Sequence, residues 1–181
     1  MKMNYIIENR ILQVLVVLGV MFSTIGISNS ALAASAHRLG VGAHYWVTVD
    51  DIDVNDVDEK GYSLIFSYQN VRNDYFKFEA DLGLQENGYA GANSTVWSPQ
   101  AFLLIGKGLY GGAGIGINYS EDEFADNPFY ALRVGFEMEV LPRLFLDLNA
   151  NYRFEQWDFD RIKEDVDSDT VTLGAVLRVQ F

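Results

Sequence analysis

Six basic and six acidic residues fall on one face of alternating segments, and that arrangement is the main chemistry this sequence offers. Arg38, Lys77, Arg133, Arg143, Arg153 and Arg178 share a face with Glu79, Asp81, Glu137, Glu139, Asp147 and Glu155. Two signs in equal number on one face suit a packed polar interior, where each charge needs a partner. A hairpin at Leu141-Pro142 sets Glu139 opposite Arg143 and brings Arg133 close to the level of Asp147 and Asn149. Such pairs either plug the interior or, if one breaks transiently, gate a narrow path for small solutes.

Two further constellations compete with that reading. The only histidines are His37 and His44. His44 faces inward, and pairing through the first loop would bring it near Ser67, with Glu79 and Asp81 on the strand beyond, a triad-like set of nucleophile, base and carboxylate. That set faces a packed interior rather than a substrate surface, so the expectation is a protein without enzymatic activity, catalytic residues or cofactor. Separately, Asp51, Asp53, Asp56 and Asp58 crowd one loop and Asp165 and Asp167 another. Carboxylates at that density form either a solvated acidic rim or a weak site for a hard cation such as calcium. The first run lacks the glycine and terminal glutamate of an EF-hand loop.

The elements that must position these residues are strands. Val171, Leu173, Ala175, Leu177, Val179 and Phe181 lie on one face of the last segment, opposite Thr170, Thr172, Gly174, Arg178 and Gln180. A period of two with one apolar and one polar face is a strand signature. Seven earlier segments repeat it, beginning near residues 38, 62, 76, 96, 109, 130 and 144. The clearest sets Phe76, Phe78, Ala80, Leu82 and Leu84 against Lys77, Glu79, Asp81 and Gln85. In the fifth, Leu109, Ala113, Ile115, Ile117 and Tyr119 face outward and glycines inward. The fourth is the weakest, because Phe102-Leu103-Leu104-Ile105 has no period and Pro99 cannot donate to a ladder, which places Pro99 near a rim.

Short links near 70–73, 106–108 and 141–142 alternate with long polar ones at 50–61, 86–95, 121–128 and 158–169, the periplasmic-turn and extracellular-loop pattern of outer-membrane barrels. Both ends of the barrel then lie in the periplasm, and the long loops lie outside the cell. Tyr45, Tyr119, Tyr130, Tyr152 and Phe154 cluster toward the loop ends and Tyr68 and Phe181 toward the turn ends, as two interfacial girdles require. A soluble barrel or sandwich gives the same period with faces exchanged, but charges of alternating sign and many glycines suit a lumen better than a bulk-solvent surface.

Lys2 and Arg10, the apolar run 11–27 and the small-x-small sites at Ala31-Leu32-Ala33 and Ala34-Ser35-Ala36 read as a signal peptide over residues 1–36. A retained anchor is the alternative, but the run is short for a span and is interrupted by Gln13, Ser23 and Thr24. Residues 37–181 form one domain. Without Lys2, Glu8 and Arg10 the basic count falls from 13 to 11 and the acidic count from 25 to 24, so this domain carries about -13. Such acidity argues against nucleic acid as a partner. Cysteine is absent, so no disulfide framework or thiolate metal site stabilises the fold.

On the alternating strands, the short–long loop rhythm and the terminal Phe181, the chain resembles the small eight-stranded outer-membrane barrels, the group that includes the OmpA transmembrane domain, OmpX and Ail. The resemblance implies an all-β, antiparallel, up-and-down transmembrane barrel, a monomer in the outer membrane of a Gram-negative cell. It implies outer-membrane lipid and lipopolysaccharide as surroundings and roles from envelope structure to adhesion, with a narrow porin as the alternative and a lipid-modifying enzyme as a remote one. Phe181 resembles the terminal residue of the sorting signal that such barrels present to the barrel-assembly machinery. The family carries over no catalytic residue.

Overall fold

The computed structural model describes residues 35–49, 58–87, 89, 92, 94–120, 123–125, 127–154, 156–157, 166–167 and 169–181. Eight long strands run through them: β1 (Ala36–Thr48), β2 (Lys60–Val71), β3 (Phe76–Gln85), β4 (Val96–Ile105), β5 (Leu109–Gly116), β6 (Phe129–Leu141), β7 (Leu144–Phe154) and β8 (Thr170–Gln180). Each pairs antiparallel with its neighbour in sequence, and β8 returns to β1 in a ladder from Arg38–Gln180 to Thr48–Thr170. The sheet is therefore a closed eight-stranded transmembrane barrel. Closure follows from the solvent: in hydrocarbon an unpaired backbone group costs several kcal/mol, so no edge can be left open.

The two faces of the wall differ as the alternation requires. On β6, Tyr130, Leu132, Val134, Phe136 and Met138 are exposed, while Ala131, Arg133, Gly135 and Glu137 between them are buried. Leu39, Val41, Leu64, Phe66, Leu173 and Leu177 continue this outward apolar band. A band of that extent in water would forgo roughly 25 cal/mol for each Å² left uncovered, whereas against acyl chains it costs nothing. Tyr45 packs on Tyr62 at 5.2 Å and Tyr152 on Phe154 at 4.9 Å, toward the loop ends of their strands.

Connections 72–75, 106–108 and 142–143 are short and lie at one end, the turn end, with Ala36 and Gln180. The longer connections lie at the other, the loop end. Asn73 closes the first turn by accepting the backbone N–H groups of Tyr75 and Phe76 at 2.8 and 2.9 Å, the Asx geometry that favours Asn there. Two short ladders, Tyr119–Ser120 with Glu123–Phe124 and Gln156–Trp157 with Val166–Asp167, extend the loop end.

Two expectations change on the β4–β5 side. Pro99 is not at a rim; it lies within β4 opposite Leu82 of β3. The ladder to β5 is in the same register on both sides of it, through Gln100–Gly116 and Trp97–Tyr119. At Pro99 itself the ladder keeps one bond, from Ile117 N–H to the Pro99 carbonyl at 3.1 Å, because proline has no N–H to return. Ile117, expected to face lipid, is 1% exposed. The segment expected to be a signal peptide, residues 1–36, lies outside the described residues apart from its last two.

Candidate functional site

The lumen is crossed by charged side chains, and the wall opposite them is built to receive their length. Near the turn end, Glu137 of β6 accepts hydrogen bonds from Arg38 Nη1 of β1 at 2.6 Å and Lys77 Nζ of β3 at 2.7 Å. The Arg38 guanidinium also donates to Gln69 and Gln180 and lies 3.6 Å over the Phe145 ring. One level further in, Arg178 of β8 donates to Asp147 of β7 at 2.6 Å, to Glu79 of β3 at 2.8 Å and to Ser67 of β2 at 3.1 Å. Arg133 of β6 donates to Glu79, to Asp81 at 2.9 Å and to Asn151.

Arg133 reaches β3 from β6 because the strands between them leave room. A Cβ on Gly114 of β5 would lie 2.4 Å from the Phe102 ring, so the glycine lets that ring lie flat against the wall. The Arg133 guanidinium then lies 3.7 Å over Phe102. Phe102, Leu104, Tyr110 and Ala131 form a small apolar cluster inside the lumen, and the Tyr110 hydroxyl donates to both Asp147 oxygens at 2.7 and 2.9 Å. Toward the loop end, Arg153 of β7 donates to Tyr89 at 3.4 Å and to Gln100 of β4 at 3.3 Å.

Five cations (Arg38, Lys77, Arg133, Arg153 and Arg178) and four carboxylates (Glu79, Asp81, Glu137 and Asp147) are thus buried among the described residues. Bidentate and bridging guanidinium contacts of this kind are strong, and each carboxylate here is tied to at least one cation.

Glu139 and Arg143 do not join them. Both are exposed at the β6–β7 turn. The turn is Pro142–Arg143, closed by Leu141 opposite Leu144 with a bulge between Glu139 and Leu141, so Glu139 pairs with Phe145 instead of Arg143, and Arg133 pairs with Asn151. The Glu139 carboxylate accepts the backbone N–H of Arg143 at 2.8 Å, steadying a residue held at φ 65°. Glu155 lies outside the described residues.

The triad-like set is not assembled. The β1–β2 register sets His44 opposite Ser63, while Ser67 faces Gly40, four residues away along β1. Ser67 bonds Arg178 instead, and Glu79 and Asp81 are held by guanidinium groups. His37 sits at the turn end, 2.7 Å from the Tyr68 hydroxyl, with its ring 6.1 Å from that of Phe181. The backbone N–H of Phe181 donates to the His37 carbonyl at 2.9 Å.

Of the carboxylates considered for a cation, Asp51, Asp53, Asp56 and Asp165 lie outside the described residues. Asp58 is exposed, and Asp167 belongs to the short ladder with Gln156. No group of three or more metal-competent side chains occurs among the described residues. Residues that the alternation did not single out include Phe102, Leu104, Tyr110 and Tyr89. The register sets Phe102 opposite Gly114 and Leu104 opposite Gly112, so the run of glycines in β5 is the one sequence signal for the filled wall.

No family model matches the sequence. No curated protein matches it either. Solved structures do. Neisserial surface protein A superposes with a TM-score of 0.62 at 19% identity, over 82% of this chain and 99% of that one. Ail of Yersinia pestis gives 0.48 at 16% identity over 81% and 97%, and OprG of Pseudomonas aeruginosa 0.49 at 12% over 80% and 96%. With its closed ring of eight antiparallel strands, apolar outer band and charged lumen, the chain has the fold of the small eight-stranded outer-membrane β-barrels.

Proposed function

We propose that this protein is an integral outer-membrane barrel serving the envelope as a structural and surface-interaction element, with a closed lumen and acidic loops presented outside the cell. The observation that carries this reading is the bridging of opposite walls by Arg178 and Arg133, which tie β8 and β6 to β3 through Glu79 and Asp81. An eight-stranded barrel is only just wide enough for its side chains to fill. Ion pairs that span it occupy the path a solute would need. In this reading residues 1–36 are removed on export, the termini are periplasmic, the chain is monomeric and the strand ending at Phe181 is offered to the barrel-assembly machinery. The loops meet lipopolysaccharide, with divalent ions bridging its phosphates to carboxylates such as Asp58.

Current across a planar bilayer holding the refolded protein tests this, with a heat-modifiable gel shift confirming that the barrel has formed. The expected result is silence from the wild type. Discrete conductance steps that change size when Arg178 is replaced by alanine would instead establish a narrow pore through the ion-pair cluster.

A further inference from the structure

The lumen does not spend its hydrogen-bonding capacity evenly. Among the described residues, buried oxygens without a bond are found on Asp81, Glu137 and Asn70. Each of these side chains is already bonded through its other polar atom, to Arg133, to Arg38 and Lys77, and to His37. The nitrogens are different. His44 and Trp46, each 1% exposed, make no side-chain hydrogen bond at all, and the Gln100 amide nitrogen makes none. Native interiors pair such groups or hydrate them, because burying a donor without an acceptor is costly.

These groups are linked by a chain of contacts at one end of the lumen. His44 and Trp46 are two residues apart on β1 and face inward on the same side. The Trp46 ring stands edge-on to Tyr89 at 4.8 Å. The Tyr89 hydroxyl and the Gln100 carbonyl both accept from Arg153, whose guanidinium lies 4.8 Å over Phe129. The His44 ring is pressed against Gly174, where any Cβ would fall 1.7 Å from its Cδ2 atom, so the imidazole is fixed in place. Around it lie the charges of Arg133, Arg153, Arg178 and Asp147, three positive and one negative.

We propose that the loop-side end of the lumen is a binding site for a small oxyanion, a carboxylate or phosphate group. Trp46 Nε1–H, the Gln100 amide N–H and one His44 N–H donate to it, and Arg153 supplies charge. Donors and ligand are complementary. Indole and amide N–H groups are pure donors, the Arg153 guanidinium beside Gln100 is cationic, and an oxyanion offers acceptors and negative charge together. Tyr89 and Phe129, 0% and 2% exposed, form an aromatic roof that keeps bulk water from competing. The site stands on the lumen geometry and does not depend on the envelope role proposed above.

The test is a titration of the refolded barrel in lipid nanodiscs, following the Trp46 indole and Gln100 amide resonances by ¹⁵N NMR at constant ionic strength. Sodium acetate, sodium phosphate and sodium chloride are the probes. The expected result is a saturable shift of both resonances with acetate or phosphate, and an apparent Kd raised at least fivefold by Gln100→Leu but unchanged by Lys107→Ala at the exposed turn. Tighter acetate assigns a carboxylate ligand, and tighter phosphate a phosphoryl one. Shifts that fail to saturate, or that chloride reproduces equally, mean that the donors form no selective oxyanion site and overturn the proposal. Because the wild-type titration is decisive by itself, a variant that fails to fold does not blunt the test.

Discussion

β3 and β4 are neighbours in one unbroken ladder, yet they present opposite chemistry to the lumen. Lys77, Glu79 and Asp81 of β3 stand beside Leu104, Phe102 and Gln100 of β4, pair by pair. The charged strand supplies the anchors for Arg133 and Arg178, and the apolar strand supplies the ring on which Arg133 lies. Neither would serve alone. A lumen lined with charge on every strand would be too crowded for bridging side chains, and one lined with rings would leave the guanidinium groups without acceptors.

Either strand can be altered by a single substitution. The largest effect is expected on the charged side. Glu79→Ala removes the carboxylate that Arg133 and Arg178 share and leaves each hydrogen-bonded to one carboxylate, Asp81 and Asp147 respectively. Removing one partner of a buried ion pair typically costs about 3–5 kcal/mol, and reversible urea unfolding in lipid vesicles should show a loss toward the lower end of that range. On the apolar side, Gly114→Ala forces a methyl against Phe102 and the Ala101 carbonyl. Overpacking of that kind costs about 1–3 kcal/mol in the same measurement. Lys107→Ala, at a surface turn where Lys107 bonds Asp74 at 2.7 Å with both side chains mostly exposed, should leave the unfolding midpoint where it was. A Glu79 variant no less stable than the Lys107 variant would mean that the interior is wet enough to screen its charges.

The same pair of strands explains what could be read from sequence. β3 was legible because its lumen face is polar, so outward Phe76, Phe78 and Leu82 stand out by contrast. β4 was not, because Phe102 and Leu104 face inward while Leu103 and Ile105 face out, and a residue's hydropathy then no longer reports its side. Registers failed for a related reason. Glu139 and Arg143 fit the alternation, but the turn falls at Pro142–Arg143, which makes Arg143 a turn residue and leaves Glu139 at the exposed end of its strand. His44 was read correctly as inward, whereas its distance from Ser67 depended on the first loop, whose length does not fix the pairing. Nine of the predicted interior charges lie within the lumen, because a charge on a strand with an apolar opposite face has nowhere else to go.

The ladder between β1 and β8 joins Arg38 to Gln180, a side-chain contact 142 residues apart in sequence. All the other seams pair strands that follow one another directly. Bringing such distant segments together carries a loop-closure cost that grows with the logarithm of the intervening length, and folding slows as contacts become less local. The seam therefore acts as a clock on assembly: seven hairpin ladders can form as the chain arrives, but the ring completes only when its first and last strands meet. Until then both strands carry unpaired edges, and a second chain can capture either one.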